Sequence, residues 1–240
     1  MALHGKTAVV TGGSRGIGRA IVQRLTAEGA TVLFGHVRDE AAAAALSADT
    51  GARAELVDVG ETDQVARLFA AADEHLGELD ILVNNAGIPG TTPFLDISEA
   101  EYDRIMAVNA KGTFLAMQHA ARRMRGGGRI VNISSMSTAW ASPGESAYAA
   151  SKAAVEQLTQ VAAKELGPRG ITVNAVSPGP TDTDLLRGAV GADAIAATEH
   201  MTPLGRLGRP TDIADVVAFL VGPDAHWVTG QNIRATGGLV

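Results

Sequence analysis

Two short stretches of this chain carry residue types that together could move a hydride and a proton. Thr11 to Gly18 read T-G-G-S-R-G-I-G, and Tyr148 to Lys152 read Y-A-A-S-K. In the first, Gly12, Gly16 and Gly18 let a backbone approach a pyrophosphate, and the helix that follows offers free N–H groups and a partial positive charge. In the second, a phenol and an ammonium stand one helical turn apart on one surface. A phenol of ordinary pKa, about 10, is a poor base at neutral pH. An ammonium within about 4–6 Å favours the phenolate, and a drop of about 3 units corresponds to roughly 4 kcal/mol. Each stretch alone has a plain alternative: an ordinary strand–helix turn, and a packed tyrosine beside a solvated lysine. Ser135 ends the apolar run Arg129–Ile133, where its hydroxyl can donate to an oxygen on which charge grows. Ser134 and Ser137 read as turn residues.

These groups need a scaffold that brings residues far apart in sequence to one cleft. Short apolar runs alternate with helical segments, the pattern of a parallel sheet covered on both faces. Strands are expected at Lys6–Thr11, Ala30–His36, Arg53–Val57, Asp80–Asn84, Gly128–Ser134, Gly170–Val176 and Asn232–Ala235. Helices are expected at Gly16–Glu28, Asp39–Ala48, Thr62–His75, Ser98–Met124, Ala147–Leu166 and Pro210–Leu220. Gly29, Gly77 and Gly167-Pro168 read as stops, and Ser98 with Glu101 as a capping box. The segment Ser177–Arg209, rich in Gly, Pro and Thr, has no clear period and reads as a substrate loop at about 180–209. It leaves the carboxyl edge of the sheet, where open α/β folds bind ligands. No linker or composition shift divides residues 1–240, so one α/β domain of doubly wound, Rossmann type is expected, with about seven mostly parallel strands.

Composition excludes several function classes. A hydrophobic share of 46% against 19% charged argues against disorder, and a net charge of −6 gives no case for nucleic acid or an anionic membrane as partner. The absence of cysteine excludes disulfides, thiolate metal sites and cysteine nucleophiles. His4, His36, His75, His119, His200 and His226 are scattered without ligand spacing, so no metal is expected. The start, Met1-Ala-Leu-His-Gly-Lys, lacks a basic-then-apolar signal, and no apolar stretch spans a bilayer, so a soluble cytoplasmic protein is expected.

The glycine spacing, T-G-x-x-x-G-x-G, differs from the commonest dinucleotide fingerprint. With Asp58-Val59, Asn84-Asn85-Ala86-Gly87, Asn109, Ser134-Ser135, Tyr148…Lys152, Pro178-Gly179 and Gly237-Gly238, the chain resembles the short-chain dehydrogenase/reductase family over nearly its whole length. The resemblance implies that Gly12, Ser14, Arg15, Gly16, Ile17 and Gly18 hold a nicotinamide dinucleotide. It implies further that Asp58 and Val59 contact the adenine, and that Asn85, Ala86 and Gly87 line the adenosine ribose and central strand. Pro178, Gly179, Thr181 and Thr183 would hold the carboxamide. Ser135 would polarise the substrate oxygen and Tyr148 would transfer the proton. Lys152 would hold the ribose and tune Tyr148, and Asn109 would hold a water linking Lys152 to solvent. From the residues alone, Asp58 could instead cap the following turn, Asn84 brace neighbouring strands, and Asn109 lie at the surface.

A free ribose 2′-hydroxyl is usually held by an acid closing the second strand, a 2′-phosphate by a basic neighbour. His36 stands at that place here, with Arg15 in the glycine turn and Arg38 close by. Asp39 and Glu40 follow, and are read as the first turn of the next helix. NADP(H) is therefore favoured, with NAD(H) the alternative.

Trp140, Ser142 and the loop Thr181–Arg209 would shape the substrate pocket. The basic cluster Arg122, Arg123, Arg125 and Arg129, with Arg169, has two readings. Reductases of 3-oxoacyl groups on acyl carrier protein are similar and use basic residues around here to dock that carrier; a solvated helix end explains the charges equally well. The leading expectation is an NADPH-dependent reductase of a ketone or 3-oxoacyl thioester. An NAD-dependent alcohol or sugar dehydrogenase is the alternative. A non-catalytic dinucleotide sensor is disfavoured, because Ser135, Tyr148 and Lys152 are all present. Relatives are commonly homotetramers paired through the helices equivalent to Ser98–Met124 and Ala147–Leu166, and Ala116, Ala120, Ala154 and Ala163 would permit close contact.

Overall fold

The computed structural model describes residues 1–240, the side chain of residue 189 excepted. Seven strands form one sheet: β1 (Thr7–Thr11), β2 (Thr31–His36), β3 (Arg53–Leu56), β4 (Leu79–Asn84), β5 (Met124–Ile133), β6 (Thr172–Pro178) and β7 (Asn232–Ala235). Their order is β3-β2-β1-β4-β5-β6-β7, and every neighbouring pair is parallel. The chain runs outward from β1 to β3, then returns to place β4 on the other side of β1. That reversal opens a crevice at the carboxyl ends of β1 and β4, the usual ligand position in such sheets.

Both faces of the sheet are covered, which is why β1 reads Ala8-Val9-Val10 without alternation. Ala8, Val10, Val32, Phe34 and Val83 pack with α1 (Gly16–Ala27), α2 (Glu40–Thr50) and α9 (Pro210–Val221). Val9, Leu33, Leu82 and Ile130 pack with α3 (Thr62–Leu76), α5 (Gly112–Arg123) and α6 (Ser146–Leu166). Ala116, Ala120 and Ala163 belong to this second core and are buried within the chain, so they do not serve the helix contact between subunits that the sequence suggested. Among the described residues, no helix is long and apolar enough to cross a membrane.

The expected helix Ser98–Met124 is three pieces: α4 (Glu99–Met106), a π turn at Ala107–Lys111, and α5. The extra residue of the π turn faces Asn109 inward. Gly112 follows because a Cβ there would lie 2.6 Å from the Val59 carbonyl oxygen, so only glycine allows this approach. Met124 already pairs with Leu79 in β5, and the register resumes only at Ile81↔Arg129. Residues 125–128, including Gly126, Gly127 and Gly128, form that irregularity, and their glycines hid the early start of the strand. The Ser98–Glu101 capping box is half formed: Ser98 Oγ accepts from Glu101 N at 3.2 Å, while the Glu101 carboxylate takes a hydrogen bond from Thr92.

The segment expected as loop holds two helices, α7 (Asp184–Ala189) and α8 (Ala192–Met201). Thr183 caps α7 by accepting from Leu186 N. Gly188, Gly191 and Pro203 punctuate the stretch and masked both helices in the sequence.

Candidate active site

The glycine turn is tied to the strand beside it. Gly12 has φ +67, and a Cβ there would lie 2.8 Å from Ala86 Cα; one on Gly18 would lie 2.1 Å from the Gly12 carbonyl oxygen. Thr11 Oγ1 accepts from the backbone N–H of Asn85 and of Ala86, each at 3.1 Å. Asn85 Nδ2 donates to the Thr11 and Gly12 carbonyls at 3.1 and 2.9 Å. Residues 84–87 and 11–18 therefore form one unit. Helix α1 opens from it at Arg15 with no side-chain cap and no acid in its first turn, so its N–H groups are free for an anion. Ser14 is buried in the turn, and Ile17 is half-buried against the core.

At the end of β2, His36 is only 7% exposed, and its Nδ1 has no hydrogen-bond partner. A buried ring nitrogen without a partner is what a missing polar ligand leaves behind. Arg15 and Arg38 are exposed, and among the described residues neither guanidinium is in an ion pair. Asp39 is not in the first turn of α2 but is its N-cap, accepting from Ala42 N at 2.9 Å, with Glu40 the first helical residue. The Asp58 carboxylate accepts from Gly60 N at 2.9 Å and pairs with Arg104, which is the turn-capping arrangement. Val59 is buried beneath Gly112.

Ser135, Tyr148 and Lys152 meet where β5 ends and α6 begins. Lys152 is 4% exposed; its Nζ donates to the Ile133 carbonyl at 2.9 Å and stands 5.8 Å from the centre of the Tyr148 ring. Burial raises the phenol above its ordinary 10.0, the Ser135 hydroxyl opposes this, and the Glu145 carboxylate adds to it. Burial also lowers the Lys152 ammonium to about 8. The sequence suggested an ammonium pulling the phenol down. Here both groups lie in a low-dielectric setting that favours their neutral forms, and desolvation outweighs the charge pair.

Asn109 is fully buried, so the surface alternative is excluded. Its Oδ1 accepts from Ile88 N at 2.9 Å, and its Nδ2 donates to Ile88 O at 3.0 Å and Ser151 Oγ at 3.1 Å. Lys152 Nζ and Asn109 Oδ1 both face Gly87, at 3.3 and 3.4 Å from where its side chain would begin. Asn84 does brace its neighbour strand, donating to Asn132 at 2.9 Å.

Two acids went unread in the sequence. Glu156 Oε1 accepts from Ser134, Thr138 and Ser177 hydroxyls at 2.8, 2.6 and 3.2 Å, joining β5, the turn after it and β6. Glu145 accepts from Ser137 Oγ at 2.6 Å. Glu156 is four residues past Lys152 and Glu145 three before Tyr148, helical spacings that could have found both.

Pro178 ends β6, and Gly179 N donates to Ala235 O at 2.9 Å. Thr181 is buried and its hydroxyl donates to Gly179 O at 2.9 Å. The Thr183 methyl lies 3.3 Å from where a Cβ of Gly16 would be, so this segment closes back onto the glycine turn. A cavity of about 200 Å³ lies behind it, lined by Gly179, Leu204, Arg206 and Gly237. Gly90 approaches Tyr148, and the same loop carries exposed Phe94 and Leu95. Trp140 is partly exposed, and Ser142 O accepts from Glu145 N.

The basic cluster sits elsewhere. Arg129 pairs in register with Thr172 at the amino end of β6, and six residues of strand, about 20 Å, separate it from Ser135. Arg123 binds Asp73, Arg125 pairs with Glu78, and Arg129 and Arg169 donate to backbone carbonyls. Arg122 remains exposed.

A family model described as enoyl-(acyl carrier protein) reductase matches residues 12–240. An uncharacterised oxidoreductase of Methylorubrum extorquens is 42% identical over 244 residues, covering 99% of this chain and 98% of that protein. The crystal structure of a short chain dehydrogenase from Burkholderia cenocepacia in complex with NADP superposes with TM-score 0.95 at 42% identity, covering 100% of this chain and 99% of that one. The angucycline C-6 ketoreductase LanV with bound NADP gives TM-score 0.92 at 41% identity, covering 99% and 96%.

Proposed function

The chain belongs to the short-chain dehydrogenase/reductase family and is an NAD(P)-dependent oxidoreductase, and we propose that it reduces a ketone to the secondary alcohol with NADPH. The observation that carries this is the meeting of Ser135, Tyr148 and Lys152 at the carboxyl edge, opposite the glycine turn and the uncapped start of α1.

A nicotinamide held here would supply the hydride. Gly12, Ser14, Gly16, Ile17 and Gly18 give the pyrophosphate close backbone and the α1 N–H groups. Arg15, His36 and Arg38 would hold a 2′-phosphate, and the unpartnered His36 Nδ1 supports that reading. Asp58 and Val59 would flank the adenine, and Asn85, Ala86 and Gly87 the adenosine side. Pro178, Gly179, Thr181 and Thr183 would hold the carboxamide. Ser135 donates to the ketone oxygen as charge grows on it. Tyr148, kept neutral by burial, gives that oxygen its proton. Lys152 would hold the ribose, and Asn109 fixes the Ile88 backbone beside it.

The oxidative, NAD-dependent reading is weakened because the Asp39 carboxylate caps α2 and is not free for a ribose hydroxyl. A substrate on acyl carrier protein is the lesser reading, since most of the basic cluster is engaged within the chain. A reductase needs a supply of reduced nicotinamide, which is the reason for inferring a cytoplasmic setting. Exposed Tyr102, Phe114 and Val161 on α4, α5 and α6 support a homotetramer through those helices. Sedimentation at micromolar concentration tests that assembly, and a monomer would refute it.

The test of function is a panel of cyclohexanone, 1-tetralone, and the acetoacetyl and crotonoyl thioesters of N-acetylcysteamine. Each is offered with NADPH and with NADH and followed by nicotinamide absorbance. Turnover of a ketone with NADPH supports the proposal. Turnover of the crotonoyl thioester alone would make the protein an enoyl reductase.

A further inference from the structure

We propose that Glu145 is a positioning residue of this reaction, which acts through Ser137 to set the direction of the Ser135 hydroxyl. The proposal rests on the roles given above to Ser135 and Tyr148. Glu145 stands at the N-cap position of α6, but its side chain makes no cap to that helix. It turns instead to Ser137, whose Oγ donates to Glu145 Oε2 at 2.6 Å. Ser135 Oγ donates to Ser137 Oγ at 3.1 Å and accepts from Ser137 N at 3.2 Å.

The chemistry of the three groups fixes the direction of this chain. An ionised carboxylate only accepts, and a serine hydroxyl has one proton to give. Ser137 spends its proton on Glu145, so its oxygen is left to accept, and Ser135 donates to it. While Tyr148 is protonated, the Ser135 proton is thus held on Ser137 in the free protein, and the Tyr148 oxygen competes for it only as a phenolate. That proton turns to a ketone oxygen only when that oxygen becomes the better acceptor, which happens as negative charge develops there. An interaction drawn on mainly in the transition state raises turnover without holding the ground state.

The same carboxylate acts on Tyr148 as a charge. The groups facing Tyr148 are Glu145 and Lys152 from its own helix, Ser135 from the end of β5, and the uncharged Gly90 from the loop after β4. Burial does most to raise the phenol, and Glu145 is the acid among these groups, whose charge adds to that rise.

Glu145→Gln separates the two effects, because an amide oxygen still accepts from Ser137 while the charge is gone. On the fastest ketone of the panel, Glu145→Ala and Ser137→Ala should each lower kcat about tenfold, with NADPH affinity kept, and Glu145→Gln should recover most of that loss. The chain has two tyrosines, so in a Tyr102→Phe background a phenolate absorbance titration follows Tyr148 alone and needs no substrate. There Glu145→Gln should move the titration to lower pH. Parent-like kcat in both alanine variants, or a titration that does not move, overturns the proposal. So does a joint loss of kcat and NADPH affinity, which would mark general support of the fold. Tyr148→Phe is measured beside them, and only normal turnover in that variant brings down the reading underneath.

Discussion

The Lys152 ammonium stands 5.8 Å from the centre of the Tyr148 ring and gives its hydrogen bond to the Ile133 carbonyl. A charge in that position is costly. Its pKa is about 8 in the folded chain against 10.5 when free, so the unfolded chain holds one more proton between those values. Stability must therefore rise as pH goes from about 8 to about 10.5, and the full penalty of the buried charge applies below about 8. Lys152→Met should remove that penalty, adding up to about 3 kcal/mol at neutral pH. Urea unfolding at pH 7 and pH 10 would show it: a gain at pH 7 that shrinks at pH 10. A loss of stability at pH 7 would mean that the ammonium is better solvated than its burial implies. Activity should disappear in this variant, a trade of stability for function.

Tyr148→Phe removes one oxygen and keeps the ring, so packing and NADPH binding should survive. If the phenol is the proton donor, kcat should fall by roughly 10²–10⁴-fold. The phenol's pKa is raised, so Tyr148 should stay protonated and able to give its proton throughout the neutral range. A pH–rate profile that falls near neutrality would assign the proton to another group.

Arg15→Ala should narrow the preference for NADPH over NADH. The lost contact is a charge-assisted hydrogen bond to the 2′-phosphate, worth roughly 1.5–3 kcal/mol. Titrating both cofactors by fluorescence checks this. An equal loss for both would show that Arg15 supports the turn and reads no phosphate.

The parallel sheet and the placing of the glycine turn, Ser135 and Tyr148 at one edge were legible in the sequence. Each rests on a local signal: an apolar run, a glycine cluster, a helical spacing. What stayed hidden depends on partners distant in sequence. Gly112 looked like a weak helix residue, yet it serves the approach of α5 to Val59. Asn109 looked like a poor helix former, and its worth lies in Ile88 and Ser151. The direction of the Tyr148 and Lys152 shifts could not be read either, because desolvation belongs to the folded core and not to the spacing of the two residues.

Glu156 offers the last test. One carboxylate oxygen gathers hydroxyls from Ser134, Thr138 and Ser177, which come from the end of β5, the turn carrying Ser137, and the strand leading to Pro178. Each hydroxyl has a second acceptor in reach: Lys152 O at 3.3 Å, Ser135 O at 2.9 Å and Asn232 Oδ1 at 2.8 Å. Glu156→Leu should therefore fold, with a loss of about 1–3 kcal/mol, since the donors can re-pair. Without the carboxylate the turn that holds Ser135 loses its tie to β6, and a shift of that turn should cost about 10- to 100-fold in kcat. Glu156→Gln keeps an oxygen at the junction and should recover much of both losses. Denaturant unfolding and steady-state kinetics on the three proteins separate the effects. A Glu156→Leu protein that loses stability while keeping its kcat would show a brace for the fold alone, with no hold on the position of Ser135.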